Sequence, residues 1–391
     1  MTDNPLADPA ASTAVVMAGV PAVNKALYHA SRFGVGDPAA LLFLPDGEGG
    51  FDRLFIVRDI EMQRARNNAR AELVACPADY TPEGGLSGDR ETATAQAAAE
   101  ALIRHGIDTA IADRTLPLIF AQHIGERGIE VFYDEDLGVA DRRAKDAEEI
   151  AWLREAQAVT ERAMERACRM VGGARAGKGG VLEHDSQPLT SQRVCLAIDI
   201  FLLEQGYTNP RSIVAGGAAG GDCHELGSGE LYTGQPVIID IFPQNRTTKY
   251  NGDCTRTVVH GDIPDEVVAM HKAVVEAKAA ATAATKAGTT GDAVHAATTK
   301  VIEAHGYAMG FPRDEHPVTM PHGTGHGIGL DVHEPPLLDK GGPELVVGDA
   351  LTIEPGLYKV GFGGVRVEDL VIVTEDGCEN LNTLPEGLDW K

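Results

Sequence analysis

Five residues of metal-binding type occur in five short segments of the C-terminal half, bounded by glycine and proline: Asp240, Asp253, His326, Glu354 and Glu368. Four carboxylates and one imidazole form an oxygen-rich set, which suits divalent manganese, cobalt or zinc better than a thiolate site does. Two such ions about 3.5–4 Å apart can bind and activate one water for hydrolysis. The sequence therefore predicts a dinuclear metal centre with hydrolytic chemistry.

Three histidines, His322, His326 and His333, lie in one short segment with four glycines. Because glycine disfavours helices, the spacing of the first two histidines does not place them on one helical face. The segment instead predicts a loop and a strand whose backbone closely approaches another part of the chain. It lacks the Glu that follows the first His of an HExxH zinc helix. A lone histidine is usually structural, but three beside four carboxylates indicate a site.

Composition restricts the class of protein. The chain has 391 residues, 43% of them hydrophobic, and a formal net charge of −24. The length favours two domains, and the charge argues against nucleic acid and anionic membrane surfaces as partners. Six scattered cysteines without a CxxC motif predict reduced thiols in a cytoplasmic protein. The apolar stretch Ser12 to Val23 follows two aspartates and no Lys or Arg, so we predict folded structure there and not a secretory signal.

Residues 1–140 alternate between helical and strand patterns, which predicts a small α/β domain. Apolar runs over 40–45 and 53–58 flank a turn-rich segment and predict a β-hairpin. An alanine-rich helix is expected from Glu91 to His105, stopped by a glycine, and a buried strand over 107–113. This half contains no cluster of catalytic residue types, so we expect it to wall a cleft or to mediate dimerisation.

The remaining residues, 141–391, carry the predicted site. A long charged helix is expected from Arg142 to Met170, with apolar residues near 3.6-residue spacing. The glycine-rich turn over 172–180 lacks the Ser or Thr after Lys178 that a phosphate-binding loop needs. Further helical segments are predicted over three ranges: Thr190 to Gln205, Asp265 to Ala287, and Asp292 to His305.

Two segments repeat the same short sequence pattern, which we call the internal echo: Gly234–Asp240 and Gly348–Glu354. Both have a turn, an apolar strand and a terminal carboxylate at the same spacing. A second carboxylate follows each of them, Asp253 in the first half and Glu368 in the second. Helical sequence precedes both. The echo predicts two similar α+β halves that meet at the metal site.

Asp240 and Asp253 flank a polar turn region between β-rich segments. An antiparallel hairpin would bring the two carboxylates together on neighbouring strands. Their mutual repulsion, and the burial expected from the isoleucines around Asp240, would favour a bound cation. The alternative is that Asp240 forms an ion pair with Arg256 or Arg366.

With all five motifs present in order, residues 145–385 resemble the pita-bread metallopeptidases, the family of methionine aminopeptidase, aminopeptidase P, prolidase and creatinase. The N-terminal α/β domain resembles that of the aminopeptidase P, prolidase and creatinase branch. The resemblance implies an α+β fold with a pita-bread catalytic domain over 141–391 and a smaller domain over 1–140. It also implies a homodimer.

The resemblance assigns a role to each site residue. Asp240 would bind one metal ion through both oxygens, Asp253 and Glu368 would bridge the two ions, and His326 and Glu354 would complete the set of ligands around the other ion. The predicted catalytic residues are His224, His333 and Glu354, with Glu354 as general base. The predicted substrate-binding residues are His224, His322, His333 and Arg366. Arg366 would also orient the neighbouring ligands.

Three functions follow from this resemblance. The first is an Xaa-Pro peptidase of the aminopeptidase P or prolidase type, with two divalent ions, manganese by preference and cobalt or zinc as alternatives. The second is a hydrolase of a small non-peptide C–N bond, and the third is a non-catalytic binding module on the same fold. The expected substrate is a small peptide or a small amide. The Glu-Leu-Gly-Ser-Gly sequence after His224 differs from the family pattern and leaves specificity open.

Overall fold

The computed structural model describes residues 12–391. The chain forms two compact units that divide between Arg142 and Arg143. In the described part of the N-terminal unit, the strands are β1 (Thr13–Gly19), β2 (Ala39–Pro45), β3 (Phe51–Ile56), β4 (Leu73–Ala75), β5 (Thr109–Ala112) and β6 (Glu130–Tyr133). The helices are α1 (Lys25–Ser31), α2 (Met62–Asn68), α3 (Arg90–Arg104) and α4 (Leu118–Glu126).

These strands form one mixed sheet in the order β4-β3-β2-β1-β5-β6. The predicted hairpin is confirmed, because β2 pairs antiparallel with β3 and places Leu41 opposite Phe55. The alanine-rich helix is α3, and the Asp89 side chain caps its N-terminus. The helix ends shortly before Gly106, which has a left-handed backbone conformation. Its buried alanines allow close packing in the core below the sheet. The stretch predicted to be folded at the start of the described residues contains the buried strand β1.

The C-terminal unit contains four α-helices in residues 143–391: α5 (Ala147–Gly172), α6 (Ser191–Glu204), α7 (Asp265–Ala284) and α8 (Gly291–Ala304). Its strands are β7 (Arg175–Ala176), β8 (Leu182–His184), β9 (Gln187–Pro188), β10 (Tyr207–Thr208), β11 (Ser212–Gly216), β12 (Pro236–Ile241), β13 (Gln244–Asn245), β14 (Cys254–Val259), β15 (Ala308–Met309), β16 (Val318–Met320), β17 (Gly325–Gly327), β18 (Glu334–Leu338), β19 (Ala350–Ile353), β20 (Gly356–Lys359), β21 (Gly363–Arg366), β22 (Asp369–Val373) and β23 (Cys378–Asn380).

Three sheets of this unit carry the predicted site residues. Their strand orders are β11-β12-β14, β15-β16-β20-β21 and β18-β17-β19-β22-β23. Helices α5 and α6 bury their apolar faces against the first sheet in a core that includes Met164, Val194 and Ile239. A separate core, around Met270 and Val365, joins α7 to the second sheet. Each half therefore supports its strands with its own layer of helices.

The long helix α5 begins later than the sequence predicted. A start at Arg142 was wrong, because Asp146 forms a capping box with Glu149 and fixes the first turn at Ala147. The Asp146 side chain accepts from the Glu149 N–H, and the Glu149 side chain accepts from the Asp146 N–H, both at 2.8 Å. Arg143 instead donates to the buried Asp349 at 2.7 Å. Helix α7 likewise ends at Ala284, three residues before the predicted end.

All six cysteines lie within the described residues and are free, and Cys76, Cys168 and Cys254 are buried. Among the helices of residues 12–391, none combines the length and the apolar composition that a bilayer span requires.

Candidate metal centre

The first carboxylate pair lies at one end of the β11-β12-β14 sheet. Asp240 in β12 is opposite Thr255 in β14 and opposite Ile213 in β11. Asp253 immediately precedes β14, two residues from Thr255, so it lies diagonally across from Asp240 on the same face of the sheet. The predicted antiparallel pairing of these two segments is confirmed. Arg256, one residue further along β14, lies on the opposite face, and its partner is Asp369 at 2.8 Å.

The second pair repeats this arrangement between β19 and β22. Ile353 is opposite Asp369, so Glu354 follows the end of β19 and Glu368 precedes β22 at the same place. The turns that lead into β12 and β19 contain Gly234 and Gly348, which both adopt positive φ, +74° and +91°. This local geometry is the physical basis of the echo seen in the sequence.

Hydrogen bonds join the two halves directly at the carboxylates. The Glu368 N–H donates to the Thr255 carbonyl at 3.1 Å. The Thr255 hydroxyl donates to Glu368 Oε2 at 2.7 Å. Thr257 Oγ1 donates to the Arg366 carbonyl at 3.0 Å and accepts from the Arg366 N–H at the same distance. Glu368 is therefore fixed against the strand that follows Asp253.

His326 reaches the carboxylates from β17. Its Nδ1 lies 3.0 Å from the Gly327 carbonyl, which can only accept, so Nδ1 carries the proton and Nε2 has a free lone pair. Nε2 lies 3.5 Å from Glu354 Oε1 and 3.9 Å from Asp253 Oδ2. Asp253, His326 and Glu368 each offer a ligand atom, and these atoms lie within 4.8 Å of one another. The spacing is that of groups able to share a cation.

The glycines around His326 permit this approach. A Cβ on Gly325 would lie 2.0 Å from the Thr352 carbonyl oxygen, and one on Gly327 would lie 2.5 Å from the Glu334 carbonyl oxygen. The close backbone approach predicted from the glycine spacing is thus confirmed.

We expect Gly325→Ala to lower the free energy of unfolding by about 1–3 kcal/mol, because the added methyl forces β17 away from β19. Urea unfolding measures the loss. Gly377→Ala is the matched control, since a Cβ there meets nothing within 4 Å. Equal stability of the two variants would contradict the close approach.

One cavity of about 670 Å³ in the C-terminal unit is lined by all nine predicted site residues. Its wall therefore brings together the five candidate ligands, the flanking histidines and Arg366. Ile213, Leu226, Phe242, Val332 and Leu337 supply an apolar part of the same wall. A concave pocket with converging polar groups on one part of its wall and apolar side chains on another suits a small ligand.

The profile of metallopeptidase family M24 matches residues 151–375. That range is more than half of the 391 residues. This chain belongs to metallopeptidase family M24. A probable dipeptidase, PepE, of Mycobacterium tuberculosis is 33% identical over 250 residues, which cover 63% of this chain and 60% of that protein. The chain thus spans about three fifths of the length of this curated relative.

Solved structures show the fold that the M24 chain adopts. An Xaa-Pro dipeptidase from Bacillus anthracis is 25% identical, with a TM-score of 0.77 over 96% of this chain and 94% of that one. An X-Pro aminopeptidase from Thermotoga maritima is 24% identical, with a TM-score of 0.77 over 96% of both chains. The predicted α+β pita-bread fold is confirmed. Family M24 also implies divalent metal ions, in keeping with the clustered ligand atoms.

Electrostatics of the M24 site indicate that its side chains fit cations. Burial, followed by the charges of Glu368 and Asp240, raises the pKa of Asp253 well above its usual range. Burial and then the charge of Glu354 do the same to the pKa of Glu368. Burial also raises the pKa of Glu354 to about 7. Burial and then the adjacent His333 lower the pKa of His326 to about 3. Positive charge among these groups would relieve the cost of ionising the carboxyls.

The surroundings of Asp240 fit both of the alternatives that the sequence left open, a metal ligand and an ion pair. Its Oδ2 accepts from Arg366 Nη2 at 2.6 Å, so the suggested ion pair is present. Its Oδ1 is buried and has no hydrogen-bond partner within residues 12–391. A buried carboxylate oxygen without a partner is costly unless a ligand satisfies it. Asp240 therefore fits a metal ion as well as an arginine.

Each of the three side-chain nitrogens of Arg366 donates to a protein atom. Besides Asp240, its Nη1 donates to Tyr358 Oη at 2.8 Å and to the Cys223 carbonyl at 3.2 Å, and its Nε donates to Thr255 Oγ1 at 3.3 Å. These contacts orient Asp240 and, through Thr255, Glu368. The predicted contact of Arg366 with a substrate would compete with these hydrogen bonds.

Two of the flanking histidines are also positioned by neighbours. His322 Nε2 lies 3.0 Å from Tyr358 Oη, and its Nδ1 lies 2.8 Å from the Gly323 carbonyl. The His333 ring lies edge-on to His326, with 4.2 Å between the ring centroids. His224 lines the cavity with an exposed side chain, and its backbone N–H donates to Asp222 at 2.9 Å.

Sequence reasoning missed three residues that hold the site together: Gln157, Thr255 and Tyr358. Gln157, on α5, brackets the backbone of Asp253, accepting from its N–H at 2.9 Å and donating to its carbonyl at 2.6 Å. No local signal marks Gln157, which is 96 residues from Asp253. Tyr358 had a weak signal, since it lies in the same short segment as Glu354.

Proposed function

We propose that the chain is a dinuclear-metal-dependent Xaa-Pro peptidase, which cleaves the amide bond that precedes proline near the N-terminus of a small peptide. The observation that carries this proposal is the convergence of four carboxylates and one imidazole on one cavity in an M24 chain. The M. tuberculosis relative is named a probable dipeptidase, and a Pyrococcus furiosus relative, 29% identical over 222 residues, is named an Xaa-Pro dipeptidase.

In this proposal Asp240, Asp253, His326, Glu354 and Glu368 hold two divalent ions, with manganese preferred and cobalt or zinc as alternatives. Such ions, when bound, lower the pKa of a water and polarise the scissile carbonyl. Asp240 contributes Oδ1, which has no protein partner in the described residues, while Arg366 holds its Oδ2; the resemblance to the family implied ligation through both oxygens. His326 contributes Nε2, because its Nδ1 proton is committed to the Gly327 carbonyl.

Glu354 acts as the general base. Its Oε1 faces the cavity beside His326 Nε2, where a carboxylate can accept a proton from the attacking water and return it to the leaving amine. His224 and His333 line the same cavity and would donate hydrogen bonds to the developing oxyanion. His322 has both ring nitrogens engaged, so it shapes the pocket together with Tyr358.

The test is an assay of the purified chain with manganese, cobalt or zinc on Xaa-Pro dipeptides, longer Xaa-Pro peptides and a panel of small amides. We expect metal-dependent cleavage before proline and two ions per chain by elemental analysis. If the chain cleaves only the small amides, it is a hydrolase of a non-peptide C–N bond and not an Xaa-Pro peptidase. A chain that stays metal-free in excess metal would overturn the proposal. A homodimer remains a prediction, which sedimentation would test.

A further inference from the structure

The cavity wall contains one cationic side chain that the proposed metal chemistry does not use. Of the residues that line the cavity, two are arginines, Arg211 and Arg366. The hydrogen bonds of Arg366 to protein atoms occupy all three of its nitrogens. Arg211 is exposed and forms no ion pair or side-chain hydrogen bond with the described residues. Its guanidinium is therefore available to a ligand.

The sheet places Arg211 on the side of the metal site. Ile213, two residues along the chain, is directly opposite Asp240. Residues two apart on a strand face the same way, so Arg211 extends from the face that carries Asp240. Continuing the antiparallel register by one residue past Ser212 and Ile241 brings Arg211 opposite Phe242, which also lines the cavity.

Nearby acids do not neutralise Arg211. The adjacent helix α6 carries Asp199 and Glu204; neither forms an ion pair with Arg211 in the described residues, and Asp199 instead accepts from Asn209 at 2.8 Å. Asn209 also donates to the Ser212 hydroxyl at 2.8 Å, which fixes the loop on both sides of Arg211. The loop thus holds the backbone of Arg211 in place and leaves its charge without a protein counterion.

The charge of the cavity also favours an anionic ligand. Five carboxylates line it, and four of them are proposed metal ligands. Resting on the proposed function, two divalent ions and two arginines would outweigh these carboxylates. A guanidinium recognises a carboxylate with two parallel hydrogen bonds, which is stronger and more directional than a neutral contact.

We propose that Arg211 binds a substrate carboxylate remote from the scissile bond, so the preferred substrates are anionic. This carboxylate has two sources: the C-terminus of a dipeptide, or the side chain of an acidic N-terminal residue. The first would make the enzyme a dipeptidase, and the second would make it selective for Asp or Glu before proline.

Two pairs of substrates distinguish the sources. Ala-Pro and Ala-Pro-amide differ in the C-terminal carboxylate, while Glu-Pro-amide and Gln-Pro-amide differ in the side-chain carboxylate. We expect the metal-loaded enzyme to prefer the charged member of one pair by about tenfold or more in kcat/KM, mainly through KM. Arg211→Gln should abolish that preference and leave the neutral member within about twofold. Arg211→Lys should keep part of it.

Arg246→Gln is the matched control, since Arg246 is exposed on the same unit and does not line the cavity. A preference that survives Arg211→Gln, or an equal loss on all four substrates, would overturn the proposal. Calorimetric binding of reduced-amide analogues of the same pairs tests Arg211 without turnover. If wild type cleaves none of the substrates, the proposed function fails, and the binding difference still decides the role of Arg211.

Discussion

His326→Ala is expected to abolish measurable turnover, lowering kcat by more than about 100-fold, and to reduce the bound metal. Loss of an outer partner of a metal ligand already costs roughly 10–100-fold, and this substitution removes a proposed ligand. His326 is the one nitrogen ligand of the proposed set, and its Nε2 lies 3.5 Å from Glu354 Oε1. Elemental analysis and an Xaa-Pro assay of the purified variant measure the two losses.

The control is His316→Ala, which removes an exposed histidine that does not line the cavity. It should keep full metal content and activity. Glu354→Ala should resemble His326→Ala, with turnover abolished and metal content reduced, because Glu354 is assigned both as a ligand and as the general base. Full activity in either site variant would remove the role assigned to that residue.

The ligand candidates could be found from the sequence because each lies in or next to a short strand, in a segment with its own turn signal. Asp240 and Glu354 follow the same glycine-led pattern, and the structure shows why: Gly234 and Gly348 both turn the chain with positive φ before the strand. Burial of carboxylates beside apolar strand residues was also visible in the sequence. Such local patterns do not depend on distant parts of the chain.

The supports of the site could not be found in this way. Gln157 contacts Asp253 across 96 positions, and Thr255 contacts Glu368 across 113. Both are ordinary polar residues whose roles exist only once helix α5 and strand β22 are in place. The start of α5 was missed for a different reason, since a capping box at Asp146 outweighed the charged helical pattern that begins earlier. Long-range hydrogen bonds thus determine which residues support the site, and local capping determines where α5 begins; the periodicity of the sequence indicates neither.

Removing the divalent ions should make the folded protein lose stability as the pH rises from 6.5 to 8. Without a cation, burial and mutual repulsion raise the pKa of Asp253 and of Glu368 well above the usual range of a carboxyl. Burial likewise raises the pKa of Glu354 to about 7. The folded state then binds more protons than the unfolded state, so the free energy of unfolding falls with rising pH for as long as the folded carboxyls keep their protons.

Two histidines have the opposite effect on stability, and they set the lower limit of the pH range to be measured. Burial lowers the pKa of His326 to about 3 and that of His322 to about 4, so their unfolded forms take up protons only as the pH falls through 6.5. Proton uptake by the unfolded histidines makes the free energy of unfolding rise with pH, and most of this rise has taken place by pH 6.5. Above this pH the carboxyls dominate. Each one that keeps its proton to pH 8 costs about 2 kcal/mol over the window.

Urea unfolding of the chelated protein at pH 6.5 and pH 8 measures this loss, which we expect to reach at least about 2 kcal/mol. Manganese should abolish it, because the bound cation favours the ionised carboxylates and its binding releases their protons. Glu368→Gln is the matched variant: it mimics the protonated side chain, so the metal-free variant should be more stable than wild type at pH 8 and less sensitive to pH. Equal stability of chelated wild type at the two pH values would mean that these carboxyls do not share one buried cluster.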